Sequence, residues 1–130
     1  MPSQKRQFGD KGEDEAEEFL VKMGYKIIER NYRIKNIGEI DIVAEKRRKI
    51  YFAEVKTRNS TYESKFPMQL SISPKKRKIL RKTCEIYLMN NRKLADREWQ
   101  LDGIFINGDY AKGDEKRIEH LENILWEKYY

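Results

Sequence analysis

Cysteine is almost missing: Cys84 is the only one in 130 residues. One thiol closes no disulfide within the chain and builds no thiolate metal site. That usage suits a reducing compartment, so a cytoplasmic protein is expected. Histidine also occurs once, and His120 beside Leu121 reads as a packed or surface residue, not a ligand or base. No run approaches about 18 apolar residues, so no segment is expected to span a bilayer. The opening "MPSQKRQFGD" is basic, with no apolar stretch behind it, unlike a secretory signal. Repeats, low-complexity tracts and composition shifts are absent. Residues 1–130 are therefore expected to form one domain, with 1–8 as a flexible basic tail.

Charge is plentiful. Lys and Arg number 28 against 22 Asp and Glu, a net charge of +6, and charged and apolar residues each make up 38%. Such an excess favours an anionic partner: nucleic acid, an acidic protein or an anionic surface. Aromatics at 12% argue against disorder.

Ala16, Phe19, Leu20 and Met23 share one face of a 3.6-residue period, which predicts a helix over Asp10–Gly24. Asp10 with Glu13 has the spacing of a capping box, and Gly24 suits the left-handed residue after a helix. "YKIIERNYRI" (Tyr25–Ile34) then predicts a strand. "IGEIDIVAE" (Ile37–Glu45) alternates, placing Ile40, Ile42 and Ala44 on one face and Glu39, Asp41 and Val43 on the other. The four cations Lys46-Arg47-Arg48-Lys49 read as a hairpin turn into "KIYFAEVKT" (Lys49–Thr57). Arg58–Ser73 is a polar loop. Ser73-Pro74 supplies an N-cap and first-turn proline for a helix with Ile79, Leu80, Thr83, Cys84, Tyr87 and Leu88 inside. "EWQLDGIFI" and "KRIEHLEN" are further strands, and "ILWEKYY" adds a helical turn. The order is α-β-β-β-α-β-β, an α/β fold with a mixed sheet and helices packed on it. Trp99 and Trp126 are expected in core or edge packing.

Side chains two apart on a strand share a face, so Glu54 and Lys56 lie roughly 6.6 Å apart along the chain. If the strands pair through the Lys46–Lys49 turn, Asp41 falls opposite Glu54, about 5 Å away. Two ionised carboxylates at that distance repel, and a divalent cation between them removes the cost. Oxygen ligands so spaced suit Mg²⁺ or Mn²⁺. Lys56 beside such an ion can hold water or neutralise charge at phosphorus, the chemistry of phosphodiester hydrolysis. The alternative is an ordinary solvated surface pair. Lys75, Lys76, Arg77, Lys78, Arg81 and Lys82 crowd the start of the second helix, where cations oppose the dipole. A phosphate there would be met by helix amides and cations together. Arg58 and its loop follow Lys56 and suit guidance of a nucleic-acid backbone, with Tyr62 and Phe66 available to stack on a base or to pack.

The segments "GEDEAEEFLVKMGY", "RNYRIKNIGEIDIVAE" and "IYFAEVKTR", with "PMQLSISPKKRKIL", "WQLDGIFI" and "RIEHLEN", resemble the YraN family of small bacterial proteins over about residues 8–124. That family belongs to the restriction-endonuclease-like, PD-(D/E)xK superfamily and is similar in plan to archaeal Holliday-junction resolvases. The resemblance implies a restriction-endonuclease-like mixed sheet flanked by helices. It implies that Asp41 and Glu54 fill the two acidic positions and Lys56 the lysine. Glu13 takes the glutamate of the first helix, and the Val55 carbonyl joins Glu13, Asp41 and Glu54 as a metal ligand. Ile40 stands where the motif names a proline. Glu39, on Asp41's face, is a candidate neighbour. The implied activity is Mg²⁺- or Mn²⁺-dependent endonuclease hydrolysis of DNA, rather than RNA. The likeness to resolvases implies branched or structured DNA and a homodimer. Two other readings stay open. One is a non-catalytic nucleic-acid-binding module of a DNA repair or recombination complex. The other is a protein-interaction domain whose charges keep it soluble.

Overall fold

The computed structural model describes residues 4–58, 72–108 and 117–125, with side chains from residue 11 onward except that of Arg58. The loop tip with Tyr62 and Phe66, and Trp126 with the C-terminal turn, lie outside the described residues. Helix α1 (Gln4–Lys22) leads to strands β1 (Lys26–Ile34), β2 (Gly38–Lys46) and β3 (Lys49–Arg58). Helix α2 (Pro74–Asn90) and a short 3₁₀ turn (Arg92–Leu94) precede β4 (Trp99–Asn107) and β5 (Arg117–Leu121). The order is the predicted one.

All five strands form one sheet in chain order, β1 to β5. Only the β3–β4 pairing is parallel, because α2 carries the chain back across the sheet. Strand β4 is buried almost end to end, as expected of a strand covered on both faces. One face carries Ile42, Ala44, Ala53, Ile104 and Ile106 and packs against Ala16 and Leu20 of α1. The other carries Ile40, Val43, Phe52, Leu101 and Phe105 and packs against Leu80, Cys84, Tyr87 and Leu88 of α2.

The helix ends follow their local chemistry. Gly24, at φ +94°, closes α1 while Tyr25 N–H and Gly24 N–H donate back to Leu20 and Val21 carbonyls, the Schellman arrangement. Ser73 caps α2, its Oγ accepting the Lys76 N–H at 3.1 Å, and Pro74 takes the first turn. The N-terminal expectation for α1 is corrected. The helix starts at Gln4, with no acid in its first turn. Residues 4–8, read as part of a tail, are helical. Asp10 and Glu13 therefore lie inside the helix, and no capping box forms between them. Met23, expected on the core face, is half exposed; it lies just past Lys22, where the helix has ended.

The alternation expected for β2 also fails at one step. Ile42 and Ala44 face α1 as a pair, but Ile40 joins the α2 cluster with Val43. The β1–β2 ladder shows why. Arg30 opposes Ile42 and Tyr32 opposes Ile40, with Asn31 and Asp41 the step between. Asn31 sits at φ +54°, a left-handed conformation that turns its strand over. Arg30 then reaches Asp14 on α1 at 2.7 Å, while Tyr32 packs edge-on to Tyr87 of α2. Asparagine tolerates this conformation and a β-branched residue does not. Asn31→Val is expected to cost about 1–2 kcal/mol in denaturant unfolding, and Asn31→Gly under about 0.5. Equal losses for both would show that the left-handed residue is not what holds the kink.

Candidate active site

The kink places Asp41 where β2 leaves β3. The hairpin keeps the register expected of it, from Lys46↔Lys49 to Ile42↔Ala53, and the ladder stops there. One step further along that register stand Asp41 and Glu54. Asp41 Oδ2 instead accepts the Val55 N–H at 2.7 Å, standing in for the backbone carbonyl that a continued ladder would offer. The N–H and C=O of one strand residue point to the same side. The Val55 carbonyl therefore faces the same opening between β2 and β3.

Glu54 lies on the α2 face of β3, only 6% exposed. Burial and the charge of Asp41 push its carboxyl up to about 8, against the pull of Lys76 and Lys56. Asp41 is raised too, chiefly by burial, although the Val55 N–H holds it down. Asp41 thus makes Glu54 harder to ionise, while the charge of Glu39 acts in the same direction on Asp41.

Two lysines stand against this pair. Lys56 Nζ is 4.0 Å from Glu54 Oε1. Lys76, in the first turn of α2, pulls on both carboxylates and outweighs Lys56 at Glu54. Its position follows from the Ser73 cap, which starts α2 beside the end of β3. The sequence placed Lys76 only among surface cations, and no spacing rule links it to Glu54 across the intervening loop.

The rest of the basic cluster divides. Lys75, Lys78, Arg81 and Lys82 are exposed, with Arg81 Nε 3.3 Å from Glu85. Arg77 is not on that surface. It is 2% exposed, on the side of α2 that packs on the sheet, so its expected contact with nucleic acid is corrected. The helical period explains this, since Arg77 precedes Leu80 and Cys84 by three and seven residues. The described part of Arg58 ends β3, and its side chain lies outside the described features.

Glu13 reaches the site from α1 and hydrogen-bonds to Asp41. Gly12 makes the approach possible: a Cβ there would lie 2.0 Å from Thr57 Cγ2 on β3. The neighbouring acids have other tasks. Asp14 and Glu17 meet Arg30, and Glu18 meets Lys22. Glu39 adds negative charge near both Asp41 and Glu54. Among the described residues, no three or more His, Cys, Asp or Glu side chains gather closely enough to hold a metal ion together. The donor set is two carboxylates and a carbonyl. It fits Mg²⁺ or Mn²⁺, which take one or two carboxylates and keep several waters.

Asp102 is buried on the α1 face of β4, the opposite face from Glu54. Its carboxylate accepts Gln100 Nε2 at 2.7 Å and the Asn123 N–H at 2.9 Å, and shares a 2.8 Å hydrogen bond with His120 Nε2. Those partners engage both of its oxygens and tie the chain after β5 back to the sheet.

A five-stranded mixed sheet with a helix on each face makes this an α/β fold, with two carboxylates and a lysine where β2 and β3 part. Within that class the chain belongs to the uncharacterised protein family UPF0102, which matches residues 12–106. The YraN-family likeness of its motifs is thus borne out, and the match spans every candidate from Glu13 to Lys82. Relatives named UPF0102 protein are similar over most of their length. One from Sulfurovum is 35% identical over 90% of this chain and 92% of its own. One from Chlorobium limicola is 40% identical over 92% of each. One from Caldicellulosiruptor saccharolyticus is 41% identical over 68% of this chain and 72% of its own. Among the described residues, no helix is long and apolar enough to cross a membrane.

Proposed function

We propose that the protein is a metal-dependent endonuclease that hydrolyses phosphodiester bonds in DNA, with branched or structured DNA as its substrate. The observation that carries the reading is the pairing of buried Glu54 with half-buried Asp41 at an opening faced by the Val55 carbonyl, with Lys56 4.0 Å from Glu54. A structural core gains nothing from a buried carboxyl whose ionisation a neighbouring carboxylate opposes, whereas a cation site does. Asp41, Glu54 and the Val55 carbonyl would hold Mg²⁺ or Mn²⁺, with Glu13 orienting Asp41. The bound ion supplies Lewis-acid polarisation of a phosphate oxygen and acidifies water.

The chain's own groups do the rest. Glu54, once ionised, orients Lys56 through their pairing. Lys56 Nζ is placed to hold the attacking water and to donate to a non-bridging phosphate oxygen as negative charge builds there. Lys76 brings a second positive charge toward the same centre. The exposed Lys75, Lys78, Arg81 and Lys82 neutralise flanking phosphates without reading bases.

The test is Mg²⁺-dependent cleavage of branched, flapped, duplex and single-stranded DNAs. Wild type is expected to cut and Lys56→Ala to be slower by about 100-fold, a typical loss for a positioned proton-transfer group. Equal nicking by both would assign the activity to a contaminant. Metal-independent, salt-sensitive binding without cleavage would favour the non-catalytic binding module.

A further inference from the structure

The β2–β3 hairpin ends far from the candidate active site. Lys49, which opens β3 at the tip, and Glu54 are five residues apart on one strand, about 17 Å at the rise of a β-strand. At this tip a two-residue turn is built from Arg47 and Arg48, at φ +51° and +68°. Positive φ at both central residues marks a type I′ turn, where Asn-Gly is favoured for steric reasons. Two arginines accept that steric cost, so the local conformation does not explain their choice.

The tip is fixed in place. Lys46 Nζ donates to the Met23 carbonyl at 2.8 Å, tying the hairpin to the end of α1, and lies 4.9 Å above the Tyr25 ring. Lys49 Nζ lies 5.5 Å above Tyr51. Arg97 donates to the Glu45 carboxylate and, at 3.3 Å, to the Arg48 carbonyl. Arg47 and Arg48 are exposed, and their guanidinium groups have no hydrogen bond or ion pair among the described residues. They rim an open cleft of about 250 Å³, lined also by Lys49, Asp96, Arg97 and Glu98.

We infer that this tip is a second contact for a nucleic-acid backbone, gripping a phosphate-bearing segment that the candidate active site does not itself hold. Adjacent guanidinium forks suit phosphate oxygens, and a tip already rigid loses little freedom on binding them. Asp96 and Glu98 reduce the attraction without cancelling it, because Arg47, Arg48 and Lys49 still outnumber them once Arg97 is paired with Glu45. An acidic protein is the competing occupant. Phosphate is favoured because the α2 cations and the β2–β3 opening already suit the same polymer. The inference rests on the reading of the chain as a protein that acts on nucleic acid, but not on cleavage.

The test is duplex binding by fluorescence anisotropy in EDTA, across a KCl series, with the full chain. The double variant Arg47→Asn/Arg48→Gly removes both charges and installs the residues the turn prefers, so it is expected to melt no lower than wild type. Its affinity for a 30-base-pair duplex, a length of ~100 Å at the rise of B-DNA, is expected to fall about tenfold, with a salt slope shallower by about two. Lys56→Ala, which removes a single cation at the other site, is expected to lower the slope by about one at most. An unchanged affinity and slope in the double variant overturns the inference, as does a wild type that binds no duplex. A variant that keeps duplex binding but loses binding to polyglutamate assigns the tip to an acidic protein and also overturns it. Loss of slope in the double variant with no cleavage by wild type leaves the inference standing and removes only the nuclease reading.

Discussion

Asp41→Asn is expected to abolish metal-dependent cleavage while making the metal-free protein more stable at pH 8. The two effects have one cause. Asp41 and burial hold Glu54 up at about 8, far from its ordinary 4.5. In the unfolded chain Glu54 loses its proton near the lower value, and in the fold near the higher. Between them the folded chain holds more protons, so stability falls as pH rises from about 4.5 to 8, and the penalty is complete above 8. An amide at position 41 still accepts the Val55 N–H through its carbonyl oxygen, yet carries no charge against Glu54. Relief of about one pKa unit is ~1.4 kcal/mol, or roughly 3–5 °C in melting temperature for a chain this long. The same amide is a poor ligand for a hard cation, and a loss of at least about 100-fold in Mn²⁺ affinity is expected. Melting curves at pH 5 and 8.5, with and without Mn²⁺, separate the effects. In wild type Mn²⁺ raises the melting temperature at pH 8.5 and much less at pH 5, because it competes with the Glu54 proton. In the variant the metal shift disappears and the metal-free melt moves up. A variant that melts lower and still responds to Mn²⁺ would sink both the electrostatic account and the metal assignment.

This behaviour separates the site from a surface salt bridge. Exposed Glu–Lys pairs add little to stability and lose it in salt. Glu54 is buried, so its cost falls on the fold and is offset only when positive charge arrives. Lys56 and Lys76 supply part of that charge. The remainder is what a divalent ion would bring, and a phosphate oxygen bound to it would meet the same two lysines.

Much of this arrangement was legible in local patterns. The period of Ala16 and Leu20, the Ser73-Pro74 start and Gly24 located helix ends, because capping is decided by a few adjacent residues. The register of Asp41 toward Glu54 followed from a two-residue turn, which leaves a hairpin little choice. Three features were not legible, each because it depends on contacts distant in sequence. The reversal at Asn31 looks like an ordinary polar residue in a strand until β2 is laid beside it. Arg77 reads as one more cation in a basic run until the packed side of α2 is known. The acids of α1 suggested a helix start, but the helix begins at Gln4, so their reason is tertiary: Arg30 for Asp14 and Glu17, and Asp41 for Glu13.

Gly12→Ala is expected to destabilise the protein although alanine favours helix by about 1 kcal/mol over glycine. The added Cβ would lie 2.0 Å from Thr57 Cγ2 and 3.4 Å from Thr57 Cβ. The methyl sits on a short, β-branched side chain in a strand, and turning it aside is resisted by its rotamer preference. Overpacking of this kind costs about 1–3 kcal/mol and pushes the helix outward. Because α1 carries Glu13 one residue on, the displacement draws Glu13 from Asp41, and Mn²⁺ affinity is expected to drop with stability. The partner substitution isolates the cause. Thr57→Ser removes the clashing methyl and leaves the hydroxyl position 3.9 Å from the new Cβ. In that background Gly12→Ala is expected to become stabilising, as the helix preference emerges unopposed, and Mn²⁺ affinity is expected to return. A double-mutant cycle measured by chemical denaturation reads the coupling directly. If Gly12→Ala costs the same with serine at 57 as with threonine, the close approach of α1 to β3 is not what the glycine secures, and the route by which Glu13 reaches the site must be sought elsewhere on the helix.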